Sequence, residues 1–272
     1  MSKSNILNET CINIDLSYEA RFIEKIANTT FKHLPELREL RLRRFKNLIN
    51  DNIDLEIEDE SFNNLVNLVT MNMFNIHLKQ MNRNTFMGLS NLRLLKLSCC
   101  QIHDINNSLF DSLNLLVELD LSYNNIQKLD KNVFSNLTNL ENLILSNNSM
   151  LDEIELGAFD SLTKLESMDL SNCAISLSQD FLFRNLIKLR EINLTYNKIN
   201  TIKTNTFMGL TNLKVLNIAY RYNCIKLIED NAFDHFLNLE ALIICGSELA
   251  LKSLDTLDVL RNTQVCKKIY SY

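Results

Sequence analysis

Three groupings in this chain have the residue types that chemistry needs. Cys99, His103 and Asp104 lie close in sequence, as a thiol nucleophile, a base and an orienting carboxylate would. Asp120 and Asp169 are carboxylates that could share a metal ion. Arg41, Arg43 and Arg44 form a short basic cluster of the kind that grips phosphate. Whether any of them can act depends on the elements that position them.

Bulk composition narrows the field first. The chain has 272 residues, enough for a sizeable core, and 46% of them are apolar. It contains four glycines and one proline, too few for a phosphate cradle or a linker-rich protein. There is no P-loop, no G-x-G-x-x-G and no C-x-x-C. The formal net charge of -5 gives no support to non-specific nucleic-acid binding. Within residues 1–30 no apolar run is long enough for a signal peptide, and no later segment could span a membrane. Seven cysteines (Cys11, Cys99, Cys100, Cys173, Cys224, Cys245, Cys266) are odd in number and scattered, so they read as reduced thiols of a cytoplasmic protein. Six N-x-S/T sequons, at Asn8, Asn28, Asn106, Asn136, Asn147 and Asn193, are about what chance gives in a chain with 38 asparagines. That asparagine usage reads as base-composition bias as much as structural demand.

An internal repeat places the groupings. Phenylalanines fall at 31, 62, 86, 110, 134, 159, 183, 207 and 233, spaced 31, 24, 24, 24, 25, 24, 24 and 26. Counted from each one, apolar residues recur at +3, +6, +9 and +11; after Phe110 these are Leu113, Leu116, Leu119 and Leu121. A short strand at +8 to +12 would point +9 and +11 inward and +8, +10 and +12 outward. Asn124, Asn148, Asn197 and, past a two-residue insertion, Asn223 occupy +14, with Cys100 and Cys173 in the same slot. A chain turning out of a strand leaves buried N–H and C=O groups, and an asparagine amide can satisfy both kinds. The two cysteines are then small fillers of that slot, not nucleophiles.

The repeat resembles the typical 24-residue class of leucine-rich repeats, F-x-x-L-x-x-L-x-x-L-x-L-x-x-N-x-I/L, in nine successive units from Phe31 to about Leu251. The resemblance implies an α/β repeat solenoid: a leucine-rich repeat horseshoe with a parallel concave β-sheet and an irregular or 3₁₀ convex side. Family repeats often carry convex proline, whereas Pro35 is the sole proline here. The Asn/Ile-rich composition also resembles leucine-rich repeat families of AT-rich genomes, including those of large insect-infecting DNA viruses.

One domain, 1–272, is expected: an N-terminal cap over 1–30, nine repeats over 31–247, and a short repeat with C-terminal cap over 248–272. "CINIDL" (Cys11 to Leu16) reads as a strand of the first cap, "LDTLDVLRN" (Leu254 to Asn262) as a clipped repeat, and "VCKKIYSY" as a closing edge. Secreted members of the family brace both ends with paired cysteines, which lone Cys11 and lone Cys266 cannot do. In the long first spacing, Ile53, Leu55 and Ile57 alternate with acids between Asn50 and Ser61. They read as a solvated loop, a half-buried convex edge strand or a contact element.

The outward positions form the candidate partner-binding surface: Arg41, Arg43, Arg44, Asn72, Phe74, Lys96, Glu118, Asp120, Tyr123, Asp169, Glu191, Asn193, Tyr196, Asn217 and Tyr220. It is basic at its start and acidic in the middle, with tyrosines along one flank; aromatic and arginine groups are the usual anchors of protein interfaces. Register removes the chemistry. Asp120 and Asp169 stand two repeats apart, about 10 Å, with Ile144 between them. His103 and Asp104 face different sides of a turn, and Glu36 and Glu39 flank the arginines. The expectation is a non-catalytic module without metal or cofactor. It would be an intracellular adaptor, scaffold or inhibitor holding a protein partner on its concave face, with nucleic acid a minor option and no membrane. It would be a monomer, with self-association open through the insertion or the C-terminal edge. The alternative is a secreted or cell-surface recognition ectodomain of innate-immune or adhesion type.

Overall fold

The computed structural model describes residues 12–17, 23–44, 54–78, 80–219, 223–245 and 268–270. In chain order the first strands are β1 (Asn13–Asp15), β2 (Lys25–Ile26), β3 (Glu39–Arg43), β4 (Asp54–Ile57), β5 (Thr70–Phe74) and β6 (His77–Leu78). Next come β7 (Leu94–Lys96), β8 (Glu118–Asp120), β9 (Lys128–Leu129), β10 (Asn142–Ile144), β11 (Glu153–Ile154) and β12 (Ser167–Asp169). The last are β13 (Glu191–Asn193), β14 (Thr201–Ile202), β15 (Val215–Asn217), β16 (Leu227–Ile228), β17 (Ala241–Cys245) and β18 (Lys268–Tyr270). Eleven of them build one long parallel sheet in the order β1-β3-β5-β7-β8-β10-β12-β13-β15-β17-β18. The "CINIDL" segment supplies β1, which pairs with β3, and "VCKKIYSY" supplies β18, which pairs with β17. The "LDTLDVLRN" segment lies outside the described residues.

The convex side corrects the expected fold class. Among the described residues there is no α- or 3₁₀-helical turn, so the architecture is a pure β-solenoid and not an α/β horseshoe. Turns and three small parallel sheets, β2-β4-β6, β9-β11 and β14-β16, line that side. The reason is length. A 24-residue repeat leaves too few convex residues to nucleate a helix, while pairs such as Lys25–Ile26 and Glu153–Ile154 bury one side chain and continue the parallel ladder.

The acidic stretch is resolved the same way. Lys25 pairs in register with Glu56, and Asp54 with His77, so β4 is the central strand of its small sheet and neither a loop nor an edge. Residues 54–61 are thus an ordinary convex segment. Lys25 Nζ bridges Glu56 at 3.0 Å and Glu58 at 2.7 Å, and Asp59 accepts from Asn82 and Asn84. These bonds hold the Glu58 and Asp59 carboxyls below the usual range.

Behind the long sheet runs a spine of phenylalanine. Phe86, Phe110, Phe134, Phe159, Phe183, Phe207 and Phe233 stack successively with ring centroids 6.1–6.5 Å apart, and all are essentially buried. Each ring fills the space between its own repeat and the next, so no repeat can close its core alone. Phe110→Ala should cost about 3–5 kcal/mol in equilibrium urea unfolding, because it empties one link of the stack.

Candidate functional site

The turn that leaves each long-sheet strand is built around the +14 side chain. Asn124 Oδ1 accepts from the N–H groups of Cys100 (2.9 Å) and Ile102 (3.0 Å), while its Nδ2 donates to Leu97 O (2.8 Å) and Leu121 O (2.9 Å). Asn148, Asn197 and Asn223 repeat the arrangement, each tying its own repeat to the preceding one. Cys100 and Cys173 supply only the donor half, to Met73 O at 3.0 Å and Leu145 O at 3.5 Å. Both keep free thiols, and burial pushes both pKa values up to about 12, which leaves no thiolate for catalysis. A second asparagine ladder, not anticipated from the sequence, runs at +5. There Asn67, Asn91, Asn139, Asn212 and Asn238 donate to the +4 carbonyls of the preceding repeats, Pro35, Val66, Asn114, Ile187 and Thr211. Part of the asparagine usage therefore has a structural cause: the side-chain amide ties repeats together before and after the long-sheet strands.

One residue before the +14 slot the backbone turns left-handed. Asn75, Cys99, Tyr123, Asn147, Asn172 and Tyr196 all have φ between 52° and 62°. Asparagine tolerates this region; a bulky L-residue there is strained. Two of the six are nonetheless tyrosines, Tyr123 at 60% exposure and Tyr196 at 38%. The spacing of the tyrosines was visible in the sequence, but the strain was not, because it needs the backbone angle.

On the outward face of the long sheet the structure brings together most of the candidate residues. Arg41 reaches Glu39 at 2.6 Å, Arg43 lies 5.5 Å over the Phe74 ring, and Lys96 pairs with Glu118 at 2.9 Å. Asn72 shares a row with Arg41 and Lys96, its Oδ1 out of solvent and without a hydrogen bond. The same row continues as Asp120, Ile144, Asp169, Asn193 and Asn217 across β8, β10, β12, β13 and β15, with Glu191 at the start of β13. Asp120 Oδ1 accepts from Ser122 N (2.9 Å) and Oγ (2.6 Å), and Asp169 Oδ1 from Ser171 N (2.9 Å). Asn193 and Asn217 accept the equivalent N–H groups of Thr195 and Ala219. Arg44 is a correction. It is 5% exposed, and its Nη2 donates to Ile23 O at 2.7 Å, so it seals the first turn and does not face a partner. Tyr220 lies outside the described residues.

Among the described residues no three His, Cys, Asp or Glu side chains could hold a metal ion, and no helix is long and apolar enough to cross a membrane. His103 and Asp104 are both exposed. A family profile described as leucine rich repeat matches residues 90–150, 114–175, 175–220 and 187–249, together more than half of the chain. The chain belongs to the leucine-rich repeat family. The matched profile describes a repeat scaffold. No curated protein matches it. Among solved structures, the TLR13–ssRNA13 complex is similar at 25% identity over 89% of this chain, TM-score 0.69. The Toll–Spatzle complex, a hub in Drosophila development and innate immunity solved in glycosylated form, is similar at 23% identity over 82%, TM-score 0.62. The leucine-rich repeat chain spans 41% and 32% of the lengths of those two chains.

These likenesses overturn three expectations. A cytoplasmic location and an intracellular adaptor role are corrected, because the similar solved chains are those of the TLR13–ssRNA13 and Toll–Spatzle complexes and not of intracellular adaptors. The expectation had rested on the N-terminal residues and on scattered cysteines, neither of which repeat packing constrains. The dismissal of nucleic acid is corrected too, because one of these folds is solved with single-stranded RNA; net charge describes the whole molecule, not one face.

Two outcomes check this geometry. Thiol reagents at pH 8 should label exposed Cys224 in the native protein and reach Cys100 and Cys173 only after unfolding. Tyr123→Asn should raise stability by about 0.5–1 kcal/mol in urea titrations, because asparagine relieves the left-handed backbone.

Proposed function

We propose that this chain is the ligand-recognition part of a secreted or cell-surface ectodomain of innate-immune or adhesion type, reading a macromolecule on the outward face of its long sheet. The observation that carries the proposal is the pair Tyr123 and Tyr196. Exposed aromatic rings occupy left-handed positions where asparagine is cheaper, and three of the six equivalent positions, Asn75, Asn147 and Asn172, hold asparagine. Strain of this sort concentrates at working surfaces. Five of the eight phenylalanine spacings are 24, which supports assigning the repeats to the typical 24-residue class. The resemblance to viral families rests on composition alone.

Placed behind a secretory leader in animal cells, the chain should emerge folded and monomeric, with glycans at exposed sequons such as Asn106 and Asn136. Retention as disulfide-linked aggregate would sink the ectodomain reading.

Single-stranded RNA is a second reading of the ligand, favoured by the likeness to the TLR13–ssRNA13 complex. Arg41, Arg43 and Lys96, with Phe74 offering a ring, are the groups that would meet phosphates and a base. A short single-stranded RNA followed by fluorescence anisotropy should then give a log–log salt slope of about -2, as three phosphate contacts require. Arg41→Glu with Arg43→Glu should abolish it. A salt-independent signal, or one unchanged in that variant, would dismiss this placement.

A further inference from the structure

The two halves of the outward face differ in how their charge is used. At the N-terminal end each cation has an anion or a ring beside it: Arg41 has Glu39, Lys96 has Glu118, and Arg43 has Phe74. From β8 to β17 the outward strand positions hold no lysine or arginine at all. They do hold Asp120, Asp169 and Glu191, and among the described residues none of these three has a cation within ion-pair distance; Lys96, beside Asp120 in register, is turned to Glu118. On the small sheets of the opposite side, by contrast, Lys25 and Lys128 each gather neighbouring carboxylates. On the outward face Glu118 is paired with Lys96, whereas Asp120, Asp169 and Glu191 are not paired.

The open carboxylates are also held in place. The serine contacts to Asp120 and Asp169 engage Oδ1 alone, which leaves Oδ2 for another donor. Register puts Asp120 and Asp169 two strands apart, roughly 10 Å, with Glu191 one strand beyond Asp169. Tyr123 and Tyr196 stand at the exits of β8 and β13, three strands or about 14 Å apart, which is the span of about four residues of extended chain. Rings at such spacing offer faces to guanidinium or ammonium groups.

We propose that the outward face from β8 to β13 docks a cationic polypeptide segment, its lysines and arginines meeting Asp120, Asp169 and Glu191 and packing against Tyr123 and Tyr196. This deepens the recognition reading and rests on it for the face concerned. Charge complementarity selects the occupant: three carboxylates without counter-ions favour a polycation, and Ile144 between two of them accepts an aliphatic stem.

The structure also supplies neutral variants that keep the fold. Asn193 and Asn217 already make the turn bond of Asp120 and Asp169 with an amide oxygen. The triple variant Asp120→Asn, Asp169→Asn, Glu191→Gln therefore removes charge without removing an acceptor. A fluorescent peptide of alternating lysine, arginine and glycine should bind the intact chain. In the triple variant its affinity should fall at least tenfold with the unfolding midpoint unchanged, and Tyr123→Asn with Tyr196→Asn should cost a further two- to fivefold. A control with Glu56→Gln and Glu58→Gln on the opposite side should change affinity less than twofold. Equal losses from both sides, or no loss from the triple variant, would overturn the proposal, as would a short single-stranded RNA displacing the peptide from this face. Failure here with folded, glycosylated secretion intact would remove the cationic partner and leave the recognition reading standing. Failure of secretion would remove that reading whatever the peptide does.

Discussion

A backbone that leaves a strand in every repeat carries its N–H and C=O groups into the interior, and the buried asparagine amide at +14 answers both at once. Asn124 alone accepts from two amides of the preceding repeat and donates to carbonyls of both repeats. Leaving such groups unpaired costs about 1–3 kcal/mol each, so the long sheet, its strand exits and its phenylalanine spine all depend on this turn being satisfied. Where cysteine stands in the slot, only the donor half survives, and the thiol is too deeply buried to do anything else.

The same turn shapes the rim of the proposed recognition surface. Each exit passes through a left-handed residue, and the fold prefers asparagine there. Replacing it with tyrosine puts an aromatic ring on the rim at some loss of backbone comfort. Serine or threonine at the following strand exits hold the row of aspartate and asparagine side chains in one attitude. Scaffold and reading surface are thus one residue apart in sequence and separated by the direction the side chain takes.

Charge follows the same division. Carboxylates on the convex sheets are neutralised by lysine between neighbouring repeats, as Lys128 is by Asp130, Glu153 and Glu155, which also raise its pKa. Such exposed pairs contribute little to stability singly. The outward face is polarised along the solenoid, compensated near β3 and acidic from β8. That polarity decides which chemistry the proposed recognition face suits.

Spacing alone made the repeat legible. Phenylalanine anchors, the apolar positions at +3, +6, +9 and +11, and the +14 slot all follow from a periodic need to bury one face, and the strands lie where those positions require. Even the roles of Cys100 and Cys173 could be read from their place in the pattern. What the pattern did not contain were quantities that depend on neighbouring repeats. The helix-free convex side came from lateral pairing of two-residue strands, which no single repeat displays. The withdrawal of Arg44 from the surface came from its reach to Ile23 O, 21 residues earlier. The strain at Tyr123 and Tyr196 came from a dihedral angle, and the isolation of Asp120, Asp169 and Glu191 from which cations lie within a few ångströms. Burial periodicity is a local property that the chain writes into its own order, whereas hydrogen-bond partners, backbone strain and charge compensation are set between repeats and exist only once they are stacked.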